Sequence, residues 1–113
     1  MKRALFIGRW QPLHDGHRWL FNQKLEQEIP ILVAVRDTPV SDSNPFSTEQ
    51  VIENLEKEYT KEVMNGMVQI ISIPDIESVN YGRGVGYEIN EFVPPENISK
   101  ISATDIRKNL EKK

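Results

Sequence analysis

Two histidines, His14 and His17, stand three residues apart shortly after an apolar run that stops at Gly8. At the start of a helix, residues at this spacing project from one side. The first N–H groups of a helix lack partners within it, and the helix dipole places partial positive charge there, so an anion is favoured at that position. Arg9 adds a fixed positive charge nearby, and Gly8 lets a ligand come close to the backbone because it has no side chain to block it. Two histidines three apart also arise by chance on a surface. As a metal pair they would need a third ligand, and none is obvious nearby. Their position between a buried strand and a helix favours a functional role in anion binding.

The elements that would hold this turn follow from periodicity. Ala4 to Ile7 is a continuous apolar run of the kind found in a strand buried on both faces. Arg9-Trp10-Gln11-Pro12-Leu13 reads as a loop, and a helix follows from about Asp15 to Gln27, with Trp19, Leu20, Phe21 and Leu25 as its apolar face. Ile31 to Val35 is the strongest strand, and Asp37 to Pro45, rich in Pro, Ser, Asp and Asn, is a loop. Ser47-Thr48-Glu49-Gln50 fits a capping box, and Val51, Ile52, Leu55, Tyr59 and Val63 then predict one amphipathic helix ending near Asn65-Gly66. Val68 to Ile73 predicts a third strand closed by Pro74. Val85 to Ile89 is a weaker strand candidate, and a last helix opens at Ser102-Ala103-Thr104-Asp105 with Ile106 and Leu110 on its buried side. Alternation of strand and helix predicts an α/β fold, a Rossmann-like doubly wound parallel sheet in one small domain spanning residues 1–113. Ligands of such sheets bind beyond the C-terminal strand ends, where Gly8 to His17 lies.

Composition narrows the partners. The chain has 113 residues, 38% hydrophobic and 27% charged, with a net charge of −3, which suits an ordinary globular protein and gives no positive field for a phosphate polymer or an anionic membrane. It has no cysteine, so disulfides, thiolate chemistry and cysteine zinc sites are excluded. Arg9 interrupts the first apolar run too early for a signal-peptide core, and no run approaches the ~20 apolar residues of a membrane helix. The expectation is a cytoplasmic protein with a small phosphate-bearing ligand.

Gly8-Arg9-Trp10-Gln11-Pro12-Leu13-His14-Asp15-Gly16-His17 resembles the "GRFQPxHxGH" signature of the HxGH nucleotidyltransferases, the cytidylyltransferase-like superfamily. Within it, the archaeal type of nicotinamide-mononucleotide adenylyltransferase is the nearest pattern. Asn44-Pro45-Phe46-Ser47 resembles its "NPFT", and Ile101-Ser102-Ala103-Thr104-Asp105-Ile106-Arg107 its "ISGTxIR". The three segments occur in the family's order. Two departures stand out. Thr48 to Ile52 offers no arginine where the adenylyltransferases carry one, and Asn97-Ile98-Ser99-Lys100 does not supply the "RTxGISTT" of cytidylyltransferases.

The resemblance implies in-line attack by an acceptor oxygen on the α-phosphorus of a nucleoside triphosphate, with pyrophosphate leaving and no covalent enzyme intermediate. On that basis His14 and His17 donate hydrogen bonds to the α-phosphate. Gly8, Arg9, Trp10 and Gly16 line the nucleotide, with Trp10 either stacking on a ring or packing into the core. Ser102 and Thr104 hold the β- and γ-phosphates, and Arg107 neutralises the leaving pyrophosphate; by spacing alone Ser102 reads as an N-cap. Arg36 and Asp37 at the second strand's end are candidates for the acceptor. Arg83, in the glycine-rich stretch Asn80 to Tyr87, is a candidate for a phosphate. Mg²⁺ is expected to accompany the triphosphate, held mainly by phosphate and water. ATP is preferred to CTP as donor, and the acceptor is a small phosphorylated compound of open identity. The rival to an adenylyltransferase is a CTP-dependent enzyme or a nucleotide sensor without turnover. Small open sheets with exposed edges commonly self-pair, so a homo-oligomer is anticipated.

Overall fold

The computed structural model describes residues 2–82, 86 and 88–93. Along them run β1 (Ala4–Gly8), α1 (Asp15–Leu25), β2 (Ile31–Asp37), α2 (Thr48–Glu58), α3 (Thr60–Met64) and β3 (Val68–Pro74). The strands form one parallel sheet in the order β1-β2-β3, with Ile31 opposite both Ala4 and Val68. The α/β, Rossmann-like reading of the sequence therefore holds, and all three strands end at the edge where the β1–α1 turn begins.

β2 is central, which explains its uninterrupted apolar run: Ile31, Val33, Ala34 and Val35 are all buried. Strand alternation sends Phe6, Val33, Val35 and Val68 to one face, where they join Phe21 of α1 and Val51 and Leu55 of α2 in a single core. Burying each of the larger side chains stabilises the chain by roughly 1.5–3 kcal/mol. The rings of Phe21 and Tyr59 meet edge-on at 5.8 Å, so α1 and the end of α2 are neighbours on that face. Two crossovers moving the same way along the sheet, each of the usual right-handed kind, have this result. The helix layer that a doubly wound sheet carries on its other face is not among the described residues, where Leu5 is 55% exposed. The helix expected from Ser102 lies outside them.

Four local expectations are refined. Of the apolar face assigned to α1, Phe21 is fully buried and Leu20 and Leu25 pack at the core's margin, whereas Trp19 is only half-buried and outside the core. β2 runs to Asp37, two residues beyond Val35. The second helix is broken at Tyr59, whose backbone leaves the helical region (φ −114°, ψ 32°). The Thr60 hydroxyl donates back to the carbonyls of Glu56 (2.8 Å) and Lys57 (3.0 Å), a bond that competes with the helical ladder and bends it. Val63 accordingly turns outward and is 37% exposed. The end near Asn65-Gly66 is as expected: Gly66 takes φ 84° and the Met67 N–H reaches the Glu62 carbonyl at 2.9 Å, a Schellman-type stop. Gly86, Glu88 and Ile89 form no strand; Val85 and Tyr87, the rest of that candidate, lie outside the described residues. No helix among the described residues is long and apolar enough to cross a membrane.

Candidate functional site

α1 is capped by its two histidines. His14 is the N-cap, in extended conformation, and its Nδ1 accepts from the Gly16 N–H at 3.0 Å. The His14 N–H in turn donates to Nδ1 of His17 at 3.3 Å. Histidine here does what serine and glutamine do at α2, where Ser47 Oγ accepts from the Gln50 N–H (3.1 Å) and Gln50 Oε1 from the Ser47 N–H (2.8 Å). The three-residue spacing of the histidines is thus also the spacing of a capping box. It stacks the two rings, with centroids 3.8 Å apart and planes 21° from parallel.

This arrangement fixes the tautomers. A ring nitrogen that accepts from a backbone N–H carries no proton, so each neutral imidazole bears its hydrogen on Nε2. Nε2 of neither ring has a hydrogen-bond partner among the described residues. Burial, then the neighbouring His14, then Arg18, push His17 from 6.5 down to about 3. His14 is also lowered, by burial first and Arg18 second, against a smaller opposite effect of Asp15. The pair therefore offers two neutral Nε2–H donors beside a helix N-terminus. Arg18 is held away from that role, paired with Asp15 (2.8 Å) and Glu58.

A stability consequence follows. Unfolded His17 takes a proton near pH 6.5, whereas the folded one stays neutral to about pH 3. Between those values the unfolded chain binds one more proton, so stability falls as pH falls through that window. His17→Gln keeps a capping acceptor and removes the titration. Wild type is expected to lose about 1–2 kcal/mol more than this variant between pH 7 and pH 5 in urea titrations, the shift being discounted for the solvated part of the ring.

Three consecutive residues tie the β1–α1 turn to β2 and the loop after it. Arg9 Nη1 donates to Asn44 Oδ1 at 3.1 Å, Trp10 Nε1 to the Ala34 carbonyl at 3.2 Å, and Gln11 Nε2 to the Phe46 carbonyl at 2.7 Å. Gln11 Oε1 also accepts from the Phe46 N–H at 2.9 Å. The Asn-Pro-Phe segment noted in the sequence therefore docks on the first motif. Gln11, buried and decisive here, was not among the expected site residues. Its signal was a polar residue with both donor and acceptor between the apolar Trp10 and Pro12-Leu13.

Trp10 does not offer a ring face to a ligand. It is 6% exposed, meets His17 edge-on at 4.8 Å and Phe21 at 5.0 Å, and sits at φ 53°, a conformation that costs a bulky residue on the order of 1–3 kcal/mol. Of the two readings of its ring, packing in the core is the one realised. Gly8 provides the space, since a Cβ there would lie 2.9 Å from the indole. Gly16 spends its N–H on His14, so it does not present a free amide to an anion. Arg9 has a neutral partner and no carboxylate among the described residues, so its charge stays available.

Arg36 and Asp37 each have a partner within the chain. Alternation along β2 puts Arg36 on the face away from α1, where it grips Asp75 through Nε (3.0 Å) and Nη2 (2.6 Å). Asp37, on the helix face, accepts from the Thr48 hydroxyl at 2.8 Å in the first turn of α2. Next to them, Thr38 is 8% exposed and its hydroxyl has no partner among the described residues. Arg83, Ser102, Thr104 and Arg107 lie outside the described residues.

No family model matches the chain. It is 31% identical over 77 residues to a nicotinamide-nucleotide adenylyltransferase of Thermococcus sibiricus, covering 66% of this chain and 41% of that protein. It is 35% identical to the one of Methanococcus aeolicus, over 66% of this chain and 44% of that one. With the protein of that name from Thermococcus kodakarensis the identity is 30%, over 67% and 42%. The match spans about two fifths of the length of these curated relatives. Over about two thirds of its own length, then, the chain is similar to curated archaeal nicotinamide-nucleotide adenylyltransferases.

Proposed function

We propose that the chain transfers the adenylyl group of ATP to a small phosphorylated acceptor and releases pyrophosphate. The observation that carries this reading is the capped histidine pair: two neutral Nε2–H donors, with tautomers fixed by the backbone, at a helix N-terminus beyond a strand end. An acceptor phosphate oxygen attacks the α-phosphorus, the bond to the bridging oxygen of the β-phosphate breaks, and pyrophosphate leaves with that electron pair. Negative charge grows on the α-phosphate oxygens during this step, and His14 and His17 meet it with hydrogen bonds that need no reorganisation. Arg9 adds its charge. Neutral donors suit the task because they stay in one protonation state across the ordinary pH range.

Ser102 and Thr104 are assigned to the β- and γ-phosphates and Arg107 to the leaving pyrophosphate, through their match to the family's C-terminal segment; Arg83 is a further phosphate candidate. The names of the relatives make nicotinamide mononucleotide the first acceptor to try. Among the described residues no group of three or more His, Asp or Glu could hold a metal ion, and Asp15, the carboxylate beside the histidines, is paired with Arg18. These residues do not fit a protein cage for Mg²⁺. It would arrive on the triphosphate, with phosphate and water as its ligands.

The test is pyrophosphate release in Mg²⁺ buffer, with ATP or CTP against nicotinamide mononucleotide and a panel of other phosphorylated acceptors. Release with ATP and one phosphorylated acceptor is the expected result. Release with CTP alone would replace the donor, and tight ATP binding without release from any pair would make the chain a nucleotide-binding module.

A further inference from the structure

Trp10 is the feature of the site that phosphate chemistry alone leaves unexplained. A tryptophan at φ 53° is strained, yet here it is buried, its indole N–H is satisfied by the Ala34 carbonyl, and its ring fills the space left by Gly8. The His17 ring lies between two neighbours: His14 stacked at 3.8 Å, and the Trp10 ring at 4.8 Å with the planes 86° apart. Behind the indole, Phe21 closes the group at 5.0 Å. We propose that Trp10 is the positioning residue of His17, a wall anchored to β2 that holds the imidazole in the orientation where Nδ1 caps the helix and Nε2 is left for a ligand.

The indole acts through two properties. Its hydrogen bond to β2 makes the wall part of the sheet, so the His17 ring is referenced to the strand that carries the fold. Its area keeps water from one side of the imidazole, which contributes to the burial that disfavours the charged ring. Phenylalanine would keep a ring at this place without the N–H anchor, and leucine would keep bulk without a flat wall.

This inference rests on the proposed role of His17, but it is testable without turnover. The chain has only two histidines, so their ring protons can be followed separately by NMR. In wild type, cross-relaxation between the Trp10 indole and the His17 ring is expected, and its absence would overturn the proposal. In Trp10→Leu the His17 titration midpoint is expected to rise by a unit or more, while in Trp10→Phe it moves by less than half as much. If adenylyl transfer is observed, Trp10→Leu is expected to lower kcat at least 10-fold with KM for ATP within about 3-fold, and Trp10→Phe to recover most of that loss. A folded Trp10→Leu protein with unchanged His17 titration and kcat would overturn the proposal, as would a rise in KM alone, which would mark Trp10 as a substrate contact. Absence of turnover in wild type would instead count against the proposed function and leave the NMR result to decide this point.

Discussion

Replacing His17 with alanine is expected to lower kcat for adenylyl transfer by ~100- to 1,000-fold, the usual cost of removing one preorganised donor to developing oxyanion charge. The difficulty is that His17 has a second job. Its Nδ1 accepts the His14 N–H, so alanine also removes half of the cap of α1, a loss of about 1 kcal/mol. The protein contains its own control. At α2, Gln50 occupies the position equivalent to His17 and accepts the N-cap N–H at 2.8 Å. His17→Gln is therefore expected to keep the cap and bring the melting temperature to within about 1–2 °C of wild type, while its amide N–H, on a flexible chain without the ring contacts of the imidazole, is not held where Nε2 stands. Turnover is then expected to stay as low as in the alanine variant. Recovery of activity by glutamine would show that an imidazole fixed in this orientation is not what the reaction needs.

The parts of this site that were legible in the sequence are those set by local spacing. Ser47 and Gln50 form their capping box because four consecutive residues contain everything the motif requires. The strands were legible as short apolar runs, and β2 is the clearest because it is central and buried on both faces, whereas Leu5 of β1 is exposed. His14 as a cap is not legible in the sequence, since histidine is an uncommon N-cap and a histidine pair reads first as ligand donors, a metal pair or a chance surface pair. The bonds of Arg9 and Gln11 to Asn44 and Phe46 cross 35 residues, and nothing in either segment alone announces the other. Arg36 is a further case: its position at the strand end suggests the site, and its partner Asp75, 39 residues on, could not be read from the sequence around it. Trp10 was a case where both outcomes suit an aromatic ring, and only the Ala34 carbonyl and the neighbouring Phe21 decide between them.

Gly8→Ala is expected to be the most damaging single methyl group that can be added to the turn. The new Cβ would lie 2.9 Å from Cε2 and Cζ2 of the indole, closer than carbon atoms approach without displacement. A flexible neighbour could give way, but this ring is held by the Ala34 carbonyl on one side and by Phe21 and His17 on others. Relieving the clash therefore means breaking the Trp10 hydrogen bond or shifting β1 against β2, where Gly8 pairs with Val35. Overpacking of this kind costs roughly 1–3 kcal/mol, and a lost buried hydrogen bond adds about 1–3 kcal/mol more. The expected result is a fall in stability of about 2–6 kcal/mol, read by urea titration, with loss of the indole–His17 cross-relaxation. Trp10→Phe in the same background removes the atoms nearest the new methyl and is expected to restore part of that stability, although each change alone destabilises. Purely additive losses in the double variant would mean that Gly8 is required for some reason other than room for the indole.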